Sequence, residues 1–452
     1  MGWKLLITAT AFAGLALLTY NYITTEPEKV NWPTTGYFGP GKPQQDDENI
    51  HPFRIQVPDA AIQDLKNRLK QVRVTHEDLE DIHNFEYGFS KKALNIYKSY
   101  WLNEYDWRVH EKKLNEFSHF KTQIEGINLH FIHQKAVQNK YKNVIPLLMS
   151  HGWPGSVHEF SKIIPILLDP KAHGIESDFA FNVVTPSIPG FGWSSAAAKS
   201  GMNAGAVARI FHKLMLRLGY NKYAVQGGDW GSTIVSNMAR LYPNNVVGCH
   251  LNTFVSSRKD VLLQSILVTV APGFFLHEEP MKDYNFFKTL KFVIIRGGYF
   301  HLQATTPDTI GIGLNDSPIG LLAWMLEKYI TGTNTKFSKS ENPEEIVKKI
   351  SKEDLLTAVS LYWFNGNMLQ SARFYKENMN SELMQLQRQF ISVPTGYASL
   401  GNDAVPAVPQ RVIETAVNLT HYTFVPDLGH FAALEGPKVL AKDIFSFVEE
   451  LD

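Results

Sequence analysis

The sequence predicts an α/β protein: a mostly parallel sheet with helices on both faces, interrupted by an inserted helical cap. Three observations predict it. Between about Asn143 and Phe254 the apolar runs VIPLLMS, FNVVTPSI, YAVQ and VVGCHL alternate with the helical stretches NAGAVARIFHKLMLRLG and GSTIVSNMARLY. Strands alternating with helices in this way build parallel sheets. From about Ser256 to Met384 that rhythm breaks, and stretches such as PIGLLAWMLEKYI and KEDLLTAVSLYWF read as helices with no clear buried strand. After Gln389 the alternation returns with FISVPTGYA, HYTFVP and a final helix from Pro437 to Leu451.

In chain order, the first segment is an apolar run from Leu5 to Ile23, interrupted only by Thr8, Thr10, Thr19 and Asn21. At about 1.5 Å per residue it nearly spans a hydrocarbon core of about 30 Å. Trp3, Tyr20 and Tyr22 stand near its ends, as interfacial aromatics do. A cleaved signal peptide is the competing reading. The run is longer than the usual apolar region of such peptides, and no small-x-small cleavage site follows. A single-pass anchor over residues 1–24 is therefore expected, with its orientation open. Residues 25–120 are expected to form an irregular arm, rich in Pro and Gly, followed by helices. Ile62, Leu65, Leu69 and Val72 keep one apolar face there. The aromatic residues of SKKALNIYKSYWLNEYDWRVHEKKLNEF are read as packing. The core begins at about residue 121 with QIEGINLHFIHQK, a strand–turn–strand pattern that sends His130 and His133 to opposite faces. It runs to 255, the cap occupies 256–385, and the core resumes over 386–452.

Composition narrows the function. Of 452 residues, 44 are Lys or Arg and 44 are Asp or Glu, so the net charge is zero and no basic excess points to nucleic acid. A single cysteine, Cys249, excludes an intramolecular disulfide and a Cys-based zinc site. Aromatic residues make up 12%, which suits a protein with an apolar cavity to line.

Three motifs carry chemistry. Gly227-Gly228-Asp229-Trp230-Gly231 follows the strand YAVQ and opens a helix. That is the setting of a nucleophile elbow, with Asp229 where a serine often stands, and it specifies the α/β-hydrolase fold. Helix capping alone would not require glycines on both sides. His151-Gly152-Trp153-Pro154 follows VIPLLMS, where this fold supplies half of its oxyanion hole from the backbone. The expected donors are the N–H groups of Trp153 and Trp230, with His151 supporting the loop. Asp427-Leu428-Gly429-His430-Phe431 follows HYTFVP and offers a late histidine. Asp403, at the end of the strand before, is its expected acid.

A carboxylate nucleophile displaces a leaving group at an sp³ carbon, and water then attacks the resulting ester at its carbonyl. His430 would deprotonate that water. Halide and an epoxide oxygen both fit as the leaving group. The first wants N–H donors and the second a proton donor such as a tyrosine hydroxyl. A dehalogenase-type hydrolase and a non-catalytic carrier of lipophilic terpenoids are the alternatives. Release of halide or absence of turnover would mark them.

The segments HGWPGS, PSIPGFGWS, GGDWG, GGYFHLQATTPDTIGIGLNDSPIGLLAWMLEKY, SARFYKEN, VPTGYA and GHFAALE, with the anchor and arm, cover essentially the whole chain. Together they resemble the microsomal epoxide hydrolase family, and within it the juvenile hormone epoxide hydrolases of insects. The resemblance implies a covalent alkyl-enzyme ester on Asp229, with His430 as base. It implies Tyr299 and Tyr375 as donors to the epoxide oxygen, a choice that spacing alone does not make among 18 tyrosines. The family often has Glu as the acid that relays charge to the histidine, and Asp403 stands at that place. It further implies an endoplasmic reticulum membrane, no cofactor or metal, and lipophilic epoxide and water as substrates. Conversion of juvenile hormone to its diol, or detoxification of xenobiotic epoxides, follows from it.

Overall fold

The structure, a computed structural model, describes residue 27 and residues 29–74, 77–276, 281 and 284–451. The apolar run from Leu5 to Ile23 lies outside the described residues. Among the described residues no helix is long and apolar enough to cross a membrane.

Nine strands form one sheet: β1 (His51–Phe53), β2 (His119–Ile124), β3 (Ile127–Gln134), β4 (Asn143–Ser150), β5 (Phe179–Pro186), β6 (Tyr223–Gly227), β7 (Val246–Leu251), β8 (Ile391–Leu400) and β9 (Val417–Val425). Their spatial order is β1-β2-β3-β5-β4-β6-β7-β8-β9. From β5 to β9 every pair is parallel, and the first three strands join antiparallel. Central β6 is buried at all five positions. A strand covered on both faces must be apolar throughout, which is why YAVQ does not alternate. β1 was not foreseen. It is a three-residue edge strand containing Pro52, too short for a period to register. The β2–β3 hairpin is as expected. His130 bonds His119 and Ser187 at 2.9 Å each, while His133 bonds Tyr220 at 2.9 Å. Both histidines have protein partners in the core.

Among the described residues the α-helices of eight residues or more are, in chain order, α1 (Asp59–Lys70), α2 (Lys91–Asn103), α3 (Trp107–Leu114), α4 (Ala204–Arg217), α5 (Asp229–Leu241), α6 (Lys259–Val270), α7 (Phe286–Arg296), α8 (Gly298–Thr305), α9 (Pro307–Asp316), α10 (Pro318–Thr333), α11 (Lys352–Asn365), α12 (Met368–Glu377) and α13 (Pro437–Glu449). α4 and α5 cover one face of the sheet with residues such as Phe211, Met215, Ile234 and Val235. α13 covers the other with Ile444, Phe445 and Phe447. α6 to α12 form the cap. α10 starts with Pro318 at its first position and Ser317 capping the Gly320 amide at 3.1 Å. It buries Leu321, Leu322, Met325, Leu326 and Tyr329, a stripe that recurs every turn.

The aromatic residues of α2 and its surroundings pack, and they also tether. Trp101 Nε1 donates to Ser360 Oγ at 3.1 Å, and Tyr97 donates to the Pro343 carbonyl at 3.2 Å. The N-terminal helices are thereby fixed to the cap. The arm is tied to the core by a buried ion pair. Arg209 holds both carboxylate oxygens of Glu125 at 2.7 Å and the Pro33 carbonyl at 3.0 Å.

A second buried cluster joins β7, β9 and α13. Asp443 accepts from His250 at 2.8 Å and from His421 at 3.0 Å. Burial alone would raise the Asp443 carboxyl, but the two histidines hold it below its ordinary value. A depressed carboxyl contributes stability above its unfolded pKa, and that contribution is lost as pH falls through the folded one. Asp443→Asn should therefore lower the unfolding free energy at neutral pH by about 3 kcal/mol, because two histidines lose a buried anion. In urea titrations the difference from the parent should narrow in acid.

Candidate active site

β6 ends at Gly227, and the chain turns through Asp229 into α5. Asp229 sits at φ +50°, the left-handed region that side chains rarely adopt. The turn is tight for a steric reason. A Cβ on Gly227 would lie 2.5 Å from the backbone of Gly231, and one on Gly231 would lie 1.9 Å from the Ser150 carbonyl oxygen. Only glycine fits either place. The turn is braced from the end of β7. Thr253 Oγ1 accepts the Asp229 N–H at 3.1 Å, and Asn252 accepts from Gln226 at 2.8 Å. The polar pair after VVGCHL thus supports the elbow.

The Asp229 carboxylate is held from two sides. Its Oδ1 accepts the Trp153 backbone N–H at 2.9 Å. A Cβ on Gly152 would lie 2.1 Å from that oxygen, so the loop approaches only because Gly152 has no side chain. Its Oδ2 lies 3.2 Å from His430 Nε2. The other ring nitrogen, Nδ1, lies 2.9 Å from Asp403 Oδ1. Asp403 also accepts the Val405 N–H at 2.8 Å, which fixes its orientation. Trp230 follows Asp229 in the first turn of α5, where backbone N–H groups have no partner within the helix. His151 supports its loop: Nε2 accepts the Ile188 N–H at 3.2 Å and Nδ1 donates to the Gly152 carbonyl at 3.0 Å. Burial pushes its pKa down to about 4, so it is neutral.

The cap closes over this carboxylate. Tyr299 on α8 stacks on Trp153 at 5.5 Å, and Tyr375 on α12 meets Trp230 edge-on at 5.0 Å. The two tyrosine rings are 6.2 Å apart. Burial, with the Asp229 charge added, raises both hydroxyls above the ordinary tyrosine value, and they remain protonated. The cap is latched to the loop below it. Tyr362 donates to the Gly155 carbonyl at 2.9 Å and Tyr329 to the Pro154 carbonyl at 3.3 Å. The backbone N–H of His430 donates to the Gly332 carbonyl at 2.9 Å.

His430 feels opposing forces. Burial favours its neutral form, but the Asp403 and Asp229 carboxylates win, and its pKa is held well above the ordinary histidine value. A further carboxyl stands at the site without a signal in the sequence. Glu159 lies in the short turn Val157–Phe160, and a Cβ on Gly155 would meet its Oε2 at 2.4 Å. Burial pushes its pKa up to about 8; the His430 charge lowers it and the Asp229 charge raises it. At neutral pH it adds no large second negative charge beside Asp229. Asp229, His430, Asp403, Trp153, Trp230, Tyr299 and Tyr375 thus come together around one point.

Residues 50–160 match the family description "Epoxide hydrolase N terminus", and residues 145–270 match "alpha/beta hydrolase fold". "Epoxide hydrolase 1" of Sus scrofa is 42% identical, with 97% of each chain covered. The chain belongs to the epoxide hydrolase family. "Juvenile hormone epoxide hydrolase 1" of Ctenocephalides felis is 40% identical over 99% of this chain and 95% of its own. The crystal structure of juvenile hormone epoxide hydrolase from the silkworm Bombyx mori superposes with a TM-score of 0.88 at 34% identity. It covers 93% of this chain and 99% of its own. The α/β-hydrolase fold predicted from the alternation of elements is the fold of this family.

Proposed function

We propose that the protein adds water to lipophilic epoxides through an ester on Asp229, with juvenile hormone as the natural substrate of first choice. The observation that carries this is the carboxylate of Asp229, with an N–H at one oxygen, His430 at the other and two protonated tyrosines above. Asp229 Oδ2 attacks an epoxide carbon, the ring C–O bond breaks, and a tyrosine proton goes to the departing oxygen. Oδ1 becomes the ester carbonyl oxygen and stays at the Trp153 N–H. The imidazolium proton restores the tyrosinate, and neutral His430 becomes the base. It takes a proton from water, and the hydroxide adds to the ester carbonyl. The oxyanion that forms is held by the Trp153 and Trp230 N–H groups. Collapse releases the diol, and the new carboxylic acid gives its proton to the leaving alkoxide. The sum is epoxide plus water to diol.

A halide would leave without a proton donor, so buried, protonated Tyr299 and Tyr375 favour the epoxide. Tyr299→Phe and Tyr375→Phe should each slow alkylation by about 10²-fold, since one donor remains. The double variant should lose about 10³-fold or more. Rapid-mix quenching of the first turnover measures this, and a fully active double variant would show the donors to be misassigned. The apolar run from Leu5 to Ile23 supports a single-pass anchor, the family resemblance suggests an endoplasmic reticulum membrane, and the relatives' names support a hormone epoxide. Diol release from juvenile hormone, compared with an aryl epoxide, tests the substrate.

A further inference from the structure

The cap carries an apolar surface that the mechanism does not use. α7 has no buried residue at all. Phe287 and Ile294 stand on one side of it, 54% and 71% exposed, and Ile295 beside them is 64% exposed. α6 packs against α7, and the Phe286 N–H donates to Thr269 Oγ1 at 2.9 Å. α6 buries only Val261, Ser265 and Val268 and leaves Leu262 and Val270 exposed. Two neighbouring helices thus each leave large apolar side chains exposed, more than the single scattered apolar residues ordinary on soluble proteins.

We propose that this face of α6 and α7 docks on an anionic phospholipid bilayer, so that epoxides dissolved in the lipid meet the cap. Three observations choose lipid as the occupant. The sequence of α7, FFKTLKFVIIR, carries Lys288, Lys291 and Arg296 and no acidic residue. Basic side chains flanking an apolar row are the pattern of a helix lying in the headgroup region, with the long stems reaching back to the phosphates. Next, the chain enters the described structure on the cap side. Trp32 packs against Gly205 at the start of α4, where the Ala204 N–H donates to Asn378 at 3.0 Å. The apolar run from Leu5 to Ile23 precedes it in the chain. Finally, α7 leads through Gly297 directly into α8, which carries Tyr299. The face is therefore one short link from the proton donors. The orientation rests on the anchor reading given above, and the charge and exposure of α7 do not.

The test places a fluorophore on the face of the full-length protein. Cys249 is buried, so an introduced cysteine takes the label. Ile294→Cys reports the face. Asn221→Cys, beside the start of β6, reports the opposite end of the strand that leads to Asp229. Proteoliposomes of phosphatidylcholine and phosphatidylserine contain brominated lipid as quencher. The label at 294 should be quenched several-fold and that at 221 unaffected. Lys288→Glu with Lys291→Glu should weaken the quenching. A chain that floats with the vesicles but leaves the two labels equally unquenched overturns the proposal and keeps the anchor. A label at 294 that is shielded without lipid quenching also overturns it, in favour of a second copy on this face. A full-length Leu17→Arg, Leu18→Arg variant that still floats, with its label quenched, would remove the anchor reading and leave this one standing. Failure to float at all overturns both.

Discussion

Asp229→Asn should abolish diol formation, by on the order of 10⁴-fold or more. The amide has no anionic oxygen to attack carbon, while its contacts with the Trp153 N–H and with Thr253 are kept. The elbow explains why no neighbour replaces it. Asp229 stands at φ +50° and is aimed by the Gly227–Gly231 contact, by Thr253 and by the Trp153 N–H. Glu159 is another carboxyl at the site, but its pKa is pushed up to about 8 by burial, so it is a weak nucleophile at neutral pH. A single turnover in ¹⁸O-water, with parent enzyme in excess, gives the positive form of the same prediction. Hydroxide adds to the ester carbonyl, so label should enter the peptide carrying Asp229, and the first diol should be unlabelled. Label in the diol would mean that water attacks the epoxide itself, and Asp229 would then act as a base. Normal turnover by Asp229→Asn would sink the ester altogether.

The elbow was legible in the sequence because its requirements are steric. Glycines at 227 and 231 stand where no Cβ fits, and that pattern is written in the chain itself. The Trp153 donor was legible for the same reason, through Gly152. The strand segments followed from period and length, and only β1 was missed, where three residues around a proline carry no period. The tyrosines were not legible from spacing. Tyr299 and Tyr375 lie on different cap helices, and only the packing of α8 against α12 brings their rings within 6.2 Å. The family resemblance selected them. Glu159 escaped because its environment is made by burial and by the charges of Asp229 and His430, which lie far away in the chain. Asp403 was legible because it follows the strand before the one that leads to His430, while Asp427 lies too near the histidine in sequence. What could not be read was that its Oδ1 would reach the ring at 2.9 Å despite the short side chain. The apolar face of α6 and α7 was hidden for a related reason: an apolar helix reads as core until its burial is known.

His430→Gln should separate the two halves of the reaction. Alkylation needs the Asp229 carboxylate and a tyrosine proton, so one equivalent of epoxide should still be consumed in a burst. Hydrolysis needs a base, so turnover should then stop, with a steady-state loss on the order of 10³-fold or more. The intact protein should gain the mass of one substrate molecule. The electrostatics predict how the parent enzyme behaves with pH. In the free enzyme, burial would make His430 neutral, but Asp403 and Asp229 together hold its pKa well above the ordinary value. Esterification removes the Asp229 charge and so one of the two forces that hold the proton. The pKa of His430 must therefore fall in the ester, which makes the residue a base at the step that requires one. The sign is fixed: below the ester-state pKa the imidazole is protonated, and hydrolysis slows as pH falls. Alkylation does not need neutral His430, so the burst should persist in the same range and ester should accumulate. Asp403→Asn should weaken the remaining support and move the acid limb of kcat to lower pH, with a slower maximum because the ring loses its orientation. If kcat and burst fell together with pH, His430 would be acting before the ester forms. The assignment of the base to the second half-reaction would then be wrong.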